Sequence, residues 1–279
     1  MGSAVSSIVP LVEQSTVTTW DGTELPSKRL LVSQETFQSE SASLLVFLHG
    51  LGERMSDYDD TSTSVNLQNV LGKGSLPPAN IPSIILFDGR GHGNSSGWEG
   101  KGPEQFHWKY LSLDMLQVAA AYRPCLSQPL EPNYIFGGCS MGAAAAVWAA
   151  VMYPRRVAGL VLFMVPTMWA TRQARRGALE AKADALRASE PNRAEVMTGA
   201  ARADFPPRED LERLAATGIP VLIVTARDDP IHPASSAEAL GQIFGSSARV
   251  VTDCKASEVG AIFSTELVSW LEQLPPALA

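Results

Sequence analysis

The chain has 279 residues, 45% of them hydrophobic and 18% charged, with 22 Lys and Arg against 29 Asp and Glu for a net charge of −7. That is enough apolar material for one large α/β domain, or a domain with an inserted lid, and the lack of any basic run or stripe argues against nucleic acid as a partner. The three cysteines, Cys125, Cys139 and Cys254, have no metal-like spacing and suggest no disulfide framework, so neither metal nor cofactor is expected and a reducing, cytoplasmic compartment fits best.

Met1 to Pro10 shows no cationic stretch followed by an apolar one, so no signal peptide is expected. No apolar run approaches the length of a membrane span. Met1-Gly2 followed by Ser6 faintly echoes a myristoylation signal, but a solvated leader is the plainer reading. The expected partner is a small-molecule substrate, with no nucleic acid and no membrane, and the protein is expected to be a monomer or homodimer.

In chain order, Thr16 to Trp20 alternates like a strand, Asp21-Gly22 is a hairpin turn signal, and Lys28 to Val32 reads as the partner strand. Ser43 to Leu48 is a continuous apolar run, the mark of a strand buried on both faces. It ends in His49-Gly50-Leu51-Gly52. Pro82 to Phe87 is the next such strand and ends in Asp88-Gly89-Arg90-Gly91-His92-Gly93-Asn94-Ser95. Phe106 to Tyr122 reads as a helix, with Leu111, Met115, Val118 and Tyr122 on one face and Pro124 marking its end.

Tyr134-Ile135-Phe136 then leads into Gly137-Gly138-Cys139-Ser140-Met141-Gly142, and an alanine-rich run from Ala143 to Ala150 leads out. This predicts strand, tight turn, helix. Within it, Gly138-x-Ser140-x-Gly142 matches the nucleophile elbow, in which a strained turn lifts the serine Oγ above the sheet. Glycines flank the serine because strand and helix must approach closely. The helix N-terminus that follows favours a developing oxyanion. Pro154 stops that helix, and Val157 to Phe163 is another buried strand.

The texture then changes. Met168 to Ala216 loses its strands and is rich in Ala, Arg and Glu, broken by Pro206-Pro207 and capped by Gly218. A helical insertion between two strands is where a lid would go, so the expected organisation is a core over 1–166, a lid over 167–217 and the rest of the core over 218–279. Arg172, Arg175 and Arg176 read as a solvated helical face rather than an anion site. Ile219 to Thr225 is the next strand, followed by Ala226-Arg227-Asp228-Asp229-Pro230-Ile231-His232-Pro233. A helix from Ala234 to Phe244, a strand around Ala248 to Thr252 and a helix from Ala261 to Leu274 close the chain. Strands alternate with helices, so the fold class is α/β with a doubly wound, mostly parallel sheet.

With the elbow, His49-Gly50, the Asp88 to Ser95 loop and the Asp229-Pro-x-x-Pro233 turn in this order, the chain resembles the α/β-hydrolase superfamily over nearly its whole length. It looks most similar to the lid-bearing esterase, lactonase and carbon–carbon hydrolase branch, often labelled enol-lactonase-like. The resemblance implies Ser140 as nucleophile, the backbone amides of Leu51 and Met141 as oxyanion-hole donors, and Asp229 as the acid that orients a histidine.

The histidine which that pattern places after the last strand is missing. The slot falls near Ala256 or Ser257. Of the four histidines, His49 belongs to the oxyanion loop and reads as structural, His92 as a loop-stabilising residue, and His107 as a surface or packing residue. His232, three residues past Asp229, is the candidate for a relocated base, with a structural histidine at a helix start as the alternative. Asp229 before Pro230 also looks like an N-cap, in which case Asp228 orients the imidazole instead. A base lost at position 256 or 257 would leave a slow enzyme or a binder.

The expected function is hydrolysis of an ester, lactone or related carbonyl of a small, mainly apolar molecule through a Ser140 acyl-enzyme, with Met168 and Trp169 lining the substrate pocket. A non-catalytic ligand-binding homologue, or a lyase or cyclase on the same fold, is the alternative.

Overall fold

The computed structural model describes residues 11–31, 44–59, 65–71, 83–122 and 134–274. The leader at Met1 to Pro10, Pro124, Cys125 and the predicted strand ends at Val32, Ser43 and Pro82 lie outside them. Among the described residues, eight strands form one sheet in the order β1-β2-β4-β3-β5-β6-β7-β8. They are β1 (Leu11–Thr18), β2 (Glu24–Leu31), β3 (Leu44–Leu48), β4 (Ser83–Phe87), β5 (Tyr134–Cys139), β6 (Val157–Phe163), β7 (Val221–Val224) and β8 (Ala248–Val251). The hairpin of β1 and β2 joins antiparallel, β2 pairs antiparallel with β4, and every other pairing is parallel.

The residues of β3, β4, β5, β6 and β7 are buried throughout, as continuous apolar runs in a parallel sheet must be when helices cover both faces. On one face lie α2 (Trp108–Tyr122), α3 (Met141–Met152), α6 (Arg208–Ala215) and α7 (Ala234–Phe244). On the other lie α1 (Leu67–Leu71) and α8 (Val259–Gln273). Alternate side chains of one strand serve the two layers: Leu44, Val46 and Leu48 face the first and Leu45 and Phe47 the second. Each such side chain contributes about 1.5–3 kcal/mol relative to exposure.

The insertion between β6 and β7 holds α4 (Trp169–Leu186), α5 (Pro191–Arg202) and α6. Leu211 and Leu214 of α6 join the sheet-side core. α4 packs on α5, and α5 packs on the Pro103–Phe106 turn. Strand order reverses between β3 and β5, where the loops after the two strands part to opposite faces and leave a crevice at their carboxyl ends.

A buried charge network fastens the loop after β4. Arg90, fully buried, donates from Nε and Nη2 to both carboxylate oxygens of Asp114 on α2, and from Nη1 to Asp21 of the hairpin turn and Gln105. Burial opposes the charge of Asp21, but hydrogen bonds from Thr19 and Arg90 outweigh it and hold that carboxyl well below its usual range. Asp88 accepts the amides of Met55 at 2.9 Å and Asn94 at 2.9 Å, so one carboxylate ties together the loops that follow β3 and β4.

Candidate active site

The elbow is built by steric necessity. Ser140 has φ 48° and ψ −104°, a region that costs a non-glycine residue of order 1–3 kcal/mol and persists only where the surroundings hold it. What holds it is the contact of β3 with the start of α3. A Cβ on Gly142 would stand 1.9 Å from the Leu48 carbonyl oxygen, and one on Gly138 would stand 2.5 Å from the same atom. The hydrogen bond from the Ser140 amide to the Phe163 carbonyl at 2.9 Å fastens the turn to β6.

The loop after β7 supplies the partners. His232 Nε2 lies 2.8 Å from Ser140 Oγ, and His232 Nδ1 lies 3.0 Å from Asp229 Oδ2. With Nδ1–H donating to the carboxylate, Nε2 is left as an acceptor for the serine proton. Asp229 uses its other oxygen, Oδ1, to accept the amides of Ile231 at 2.7 Å and His232 at 3.1 Å. Burial works against its charge, but the bonds from His232 and from these amides prevail and lower its pKa. One carboxylate therefore braces the turn and orients the ring.

Asp228 points elsewhere. Its Oδ1 accepts the amide of Ala256 at 2.7 Å, so the alternative acid is engaged by the very segment in which the expected histidine is missing. The helix-cap expectation for Asp229 is corrected: α7 begins at Ala234, and Asp229 to Pro233 is an irregular turn closed by side-chain hydrogen bonds. Two prolines, Pro230 and Pro233, restrict φ in it.

Of the two residues whose amides are expected as oxyanion donors, Met141 opens α3, where the first amides have no intrahelical partner, and its side chain sinks into the core. Leu51 follows Gly50, whose amide donates to Glu53 Oε2 at 2.7 Å; that carboxylate also accepts the Tyr58 hydroxyl. Glu53 thereby holds the loop after β3 in shape. Neither Glu53 nor Tyr58 carries a motif that could have found it in the sequence.

The other histidines do not reach the serine. His49 accepts the Gly89 amide at Nε2, 3.0 Å, and donates from Nδ1 to the Gly50 carbonyl, 2.7 Å. Burial, with the neighbouring His92 adding to it, pushes its pKa down to about 3, so it is a neutral strut between two loops. His92 bonds the Arg90 carbonyl at 3.0 Å, its ring lies tilted against that of His49, and burial lowers its pKa too. His107 packs edge-on against Trp148.

Beside Ser140 and His232 lies a cavity of about 620 Å³, bordered by Leu51, Met197 and Ile231 and by Arg172, Arg175 and Lys182 of α4. A second cavity of about 460 Å³ lies on the far side of Leu51, Glu53 and Met197, against His92 and Trp98. The expectation that Met168 and Trp169 line the pocket is corrected. Met168 is buried in the sheet-side core, and Trp169 packs against that core with its indole N–H donating to the Pro206 carbonyl at 2.9 Å.

The solvated-face reading of the arginine run is corrected as well. Arg176 is exposed and pairs with Glu180 at 3.0 Å. Arg172 is buried, its guanidinium 4.5 Å from the Trp108 ring, donating to the carbonyls of Ala203 and Ala200. Arg175 donates to the carbonyls of Pro230 at 2.7 Å and Ile231 at 3.1 Å, the two residues between Asp229 and His232. A sequence signal existed: Arg176 has an acid four residues on, whereas Arg172 and Arg175 have none three or four residues away in either direction.

Among the described residues no group of side chains has the makings of a metal site, and no helix is long and apolar enough to cross a membrane. No curated protein sequence matches the chain. Several solved structures share its fold. A hydrolase from Pseudomonas aeruginosa is 20% identical, with a TM-score of 0.63 over 93% of this chain and 98% of that one. The esterase RhEst1 from Rhodococcus sp. is 19% identical, with a TM-score of 0.63 over 94% and 99%. The α/β hydrolase MGS-M2, from a deep-sea metagenome library, is 14% identical, with a TM-score of 0.69 over 94% and 98%. At such identities the likeness speaks for the fold. A family profile described as serine aminopeptidase, S33, matches residues 39–180, just over half of the chain and the part that carries the elbow. The chain therefore belongs to that family of α/β-hydrolases.

Proposed function

We propose that this protein is a serine hydrolase that cleaves an ester or lactone of a small molecule through a Ser140 acyl-enzyme. The observation that carries the reading is the unbroken pair of hydrogen bonds from Asp229 through His232 to Ser140. Ser140 Oγ attacks the substrate carbonyl carbon as His232 Nε2 takes its proton. The amides of Leu51 and Met141 stabilise the oxyanion. When the tetrahedral adduct collapses, the imidazolium returns the proton to the leaving alkoxide. Water, deprotonated by the same nitrogen, then releases the acid and restores Ser140. Asp229 keeps Nδ1 protonated and stabilises the transient imidazolium.

Residues 167–217 serve in this reading as the lid, with α4 and α5 closing the cavity and α6 anchoring it to the core. The insertion supports placement in the lid-bearing esterase and lactonase branch, and a cytoplasmic location accords with the free, buried Cys139 and Cys254. A fluorophosphonate probe should label Ser140, and p-nitrophenyl butyrate should be turned over. Ser140→Ala should abolish both, and His232→Ala should lower kcat by at least about 10³-fold while the protein stays folded. A wild-type protein that takes no label and releases no nitrophenol would refute the proposal.

A further inference from the structure

We propose that the cavity beside Ser140 selects substrates bearing a carboxylate on the acyl arm, held by Arg172, Arg175 and Lys182 of α4. This rests on the hydrolase reading and adds a substrate class to it.

The protein carries a net charge of −7, yet one helix sends three cations to the rim of a single cavity. Residues 172, 175, 179 and 182 follow helical spacing, so they share the face of α4 turned to Ser140. The insertion's other ion-forming arginines find acids: Arg176 and Arg202 with Glu180, Arg187 with Asp184, Arg193 with Glu190, Arg208 with Glu212, Arg213 with Asp210. Among the described residues none of Arg172, Arg175 and Lys182 forms an ion pair.

What holds the two guanidinium groups is neutral backbone. Arg172 is nine-tenths buried and spends Nε and Nη2 on the Ala203 and Ala200 carbonyls. Arg175 spends one N–H of each Nη on Pro230 and Ile231. A guanidinium has five N–H donors, so each is oriented while keeping three for another acceptor.

The nearby acids are engaged by other groups, and neither forms an ion pair with these cations. Glu53, which borders the cavity, accepts the Gly50 amide and the Tyr58 hydroxyl. Asp204 directs Oδ1 to the amides of Trp169 and Phe205. Burial works against the charge of Arg172 and outweighs the support of the nearby Asp204 carboxylate, and a substrate carboxylate offers the planar two-oxygen edge that an arginine fork matches. The rest of the lining is largely apolar, with Leu51, Leu179 and Met197 available to a short hydrocarbon linker between carboxylate and scissile carbonyl.

The test compares kcat/KM for mono-p-nitrophenyl glutarate and p-nitrophenyl butyrate, which share a leaving group and differ in the terminal carboxylate. The glutarate ester should be favoured by about tenfold or more at low ionic strength, with the preference shrinking in high salt. Arg172→Gln should cut the ratio of the two kcat/KM values by about fivefold or more. Should that buried variant fail to fold, Lys182→Met, at a solvent-exposed position on the same face of α4, carries the same expectation. A butyrate ester turned over as fast as the glutarate one, with ratios unmoved in the variants, overturns the inference while the hydrolase reading stands. If neither ester is cleaved and Ser140 takes no fluorophosphonate, both fall.

Discussion

Replacing Asp229 by Asn separates two jobs that one carboxylate performs. Oδ1 accepts two backbone amides, from Ile231 and His232, and Oδ2 accepts the imidazole Nδ1–H. An asparagine can keep its carbonyl oxygen on the amides and preserve the turn. Its NH₂ group then faces Nδ1 and can only donate, which forces the proton onto Nε2. That nitrogen, 2.8 Å from Ser140 Oγ, becomes a donor to the hydroxyl it should deprotonate. Loss of the correct tautomer in a serine triad costs about 10³–10⁴-fold in kcat, or about 4–5.5 kcal/mol of barrier. Asp229→Ala loses the turn as well. It should match the kinetic loss and add roughly 1–2 kcal/mol of destabilisation for the two abandoned amides. The assay is kcat on p-nitrophenyl butyrate beside urea unfolding of both variants. An asparagine variant with more than about a tenth of wild-type kcat would refute the orientation argument. An asparagine variant as unstable as the alanine one would refute the division of labour between the two oxygens.

Gly142→Ala should be among the most damaging small substitutions in the chain. The added methyl meets the Leu48 carbonyl oxygen at 1.9 Å, and neither β3 nor α3 can yield without parting the sheet from its central helix. A loss of at least about 3 kcal/mol in urea unfolding is expected; a cost under about 1 kcal/mol would mean that the β3–α3 contact is not tight. Acid lability should begin early. Folded His49 stays neutral down to about 3, from an ordinary value of 6.5, chiefly because it is buried. The unfolded state therefore binds the extra proton first, and its stabilising effect, complete above 6.5, is lost as pH falls. The slope is about 1.4 kcal/mol per pH unit, or about 2 kcal/mol between pH 6.5 and 5. His92 acts in the same direction, whereas the depressed carboxyls of Asp21 and Asp229 respond only at lower pH. Unfolding free energies that stay flat from pH 7 to 5 would contradict this.

Much of the architecture is legible because it depends on local pattern. Runs such as Leu44 to Leu48 and Val157 to Phe163 are apolar on both faces, and only a strand covered twice accounts for that. Gly138 and Gly142 mark the elbow because no side chain fits between α3 and the end of β3. Arg172 misled because a charge pattern along one helix says nothing about what packs against it. Here Trp108 and the end of α5 close over the guanidinium. Trp169 misled for the converse reason: an aromatic residue at a domain junction finds core as readily as pocket.

From its amino acids alone this protein has a parallel sheet, a serine raised on a strained turn after the central strand, and an acid on a proline-bounded loop after a later one. Those features rest on sterics and hydrophobic periodicity within a few residues. Which imidazole meets that serine was decided by folding, since the pair is separated by 92 positions and meets only when β5 and β7 are set in one sheet. Asp229 became the orienting acid, and Asp228 a brace for Ala256, only once the loop after β7 packed against the segment after β8. The charge of the cavity beside Ser140 was settled the same way, when α4 came to rest beside the sheet's carboxyl edge.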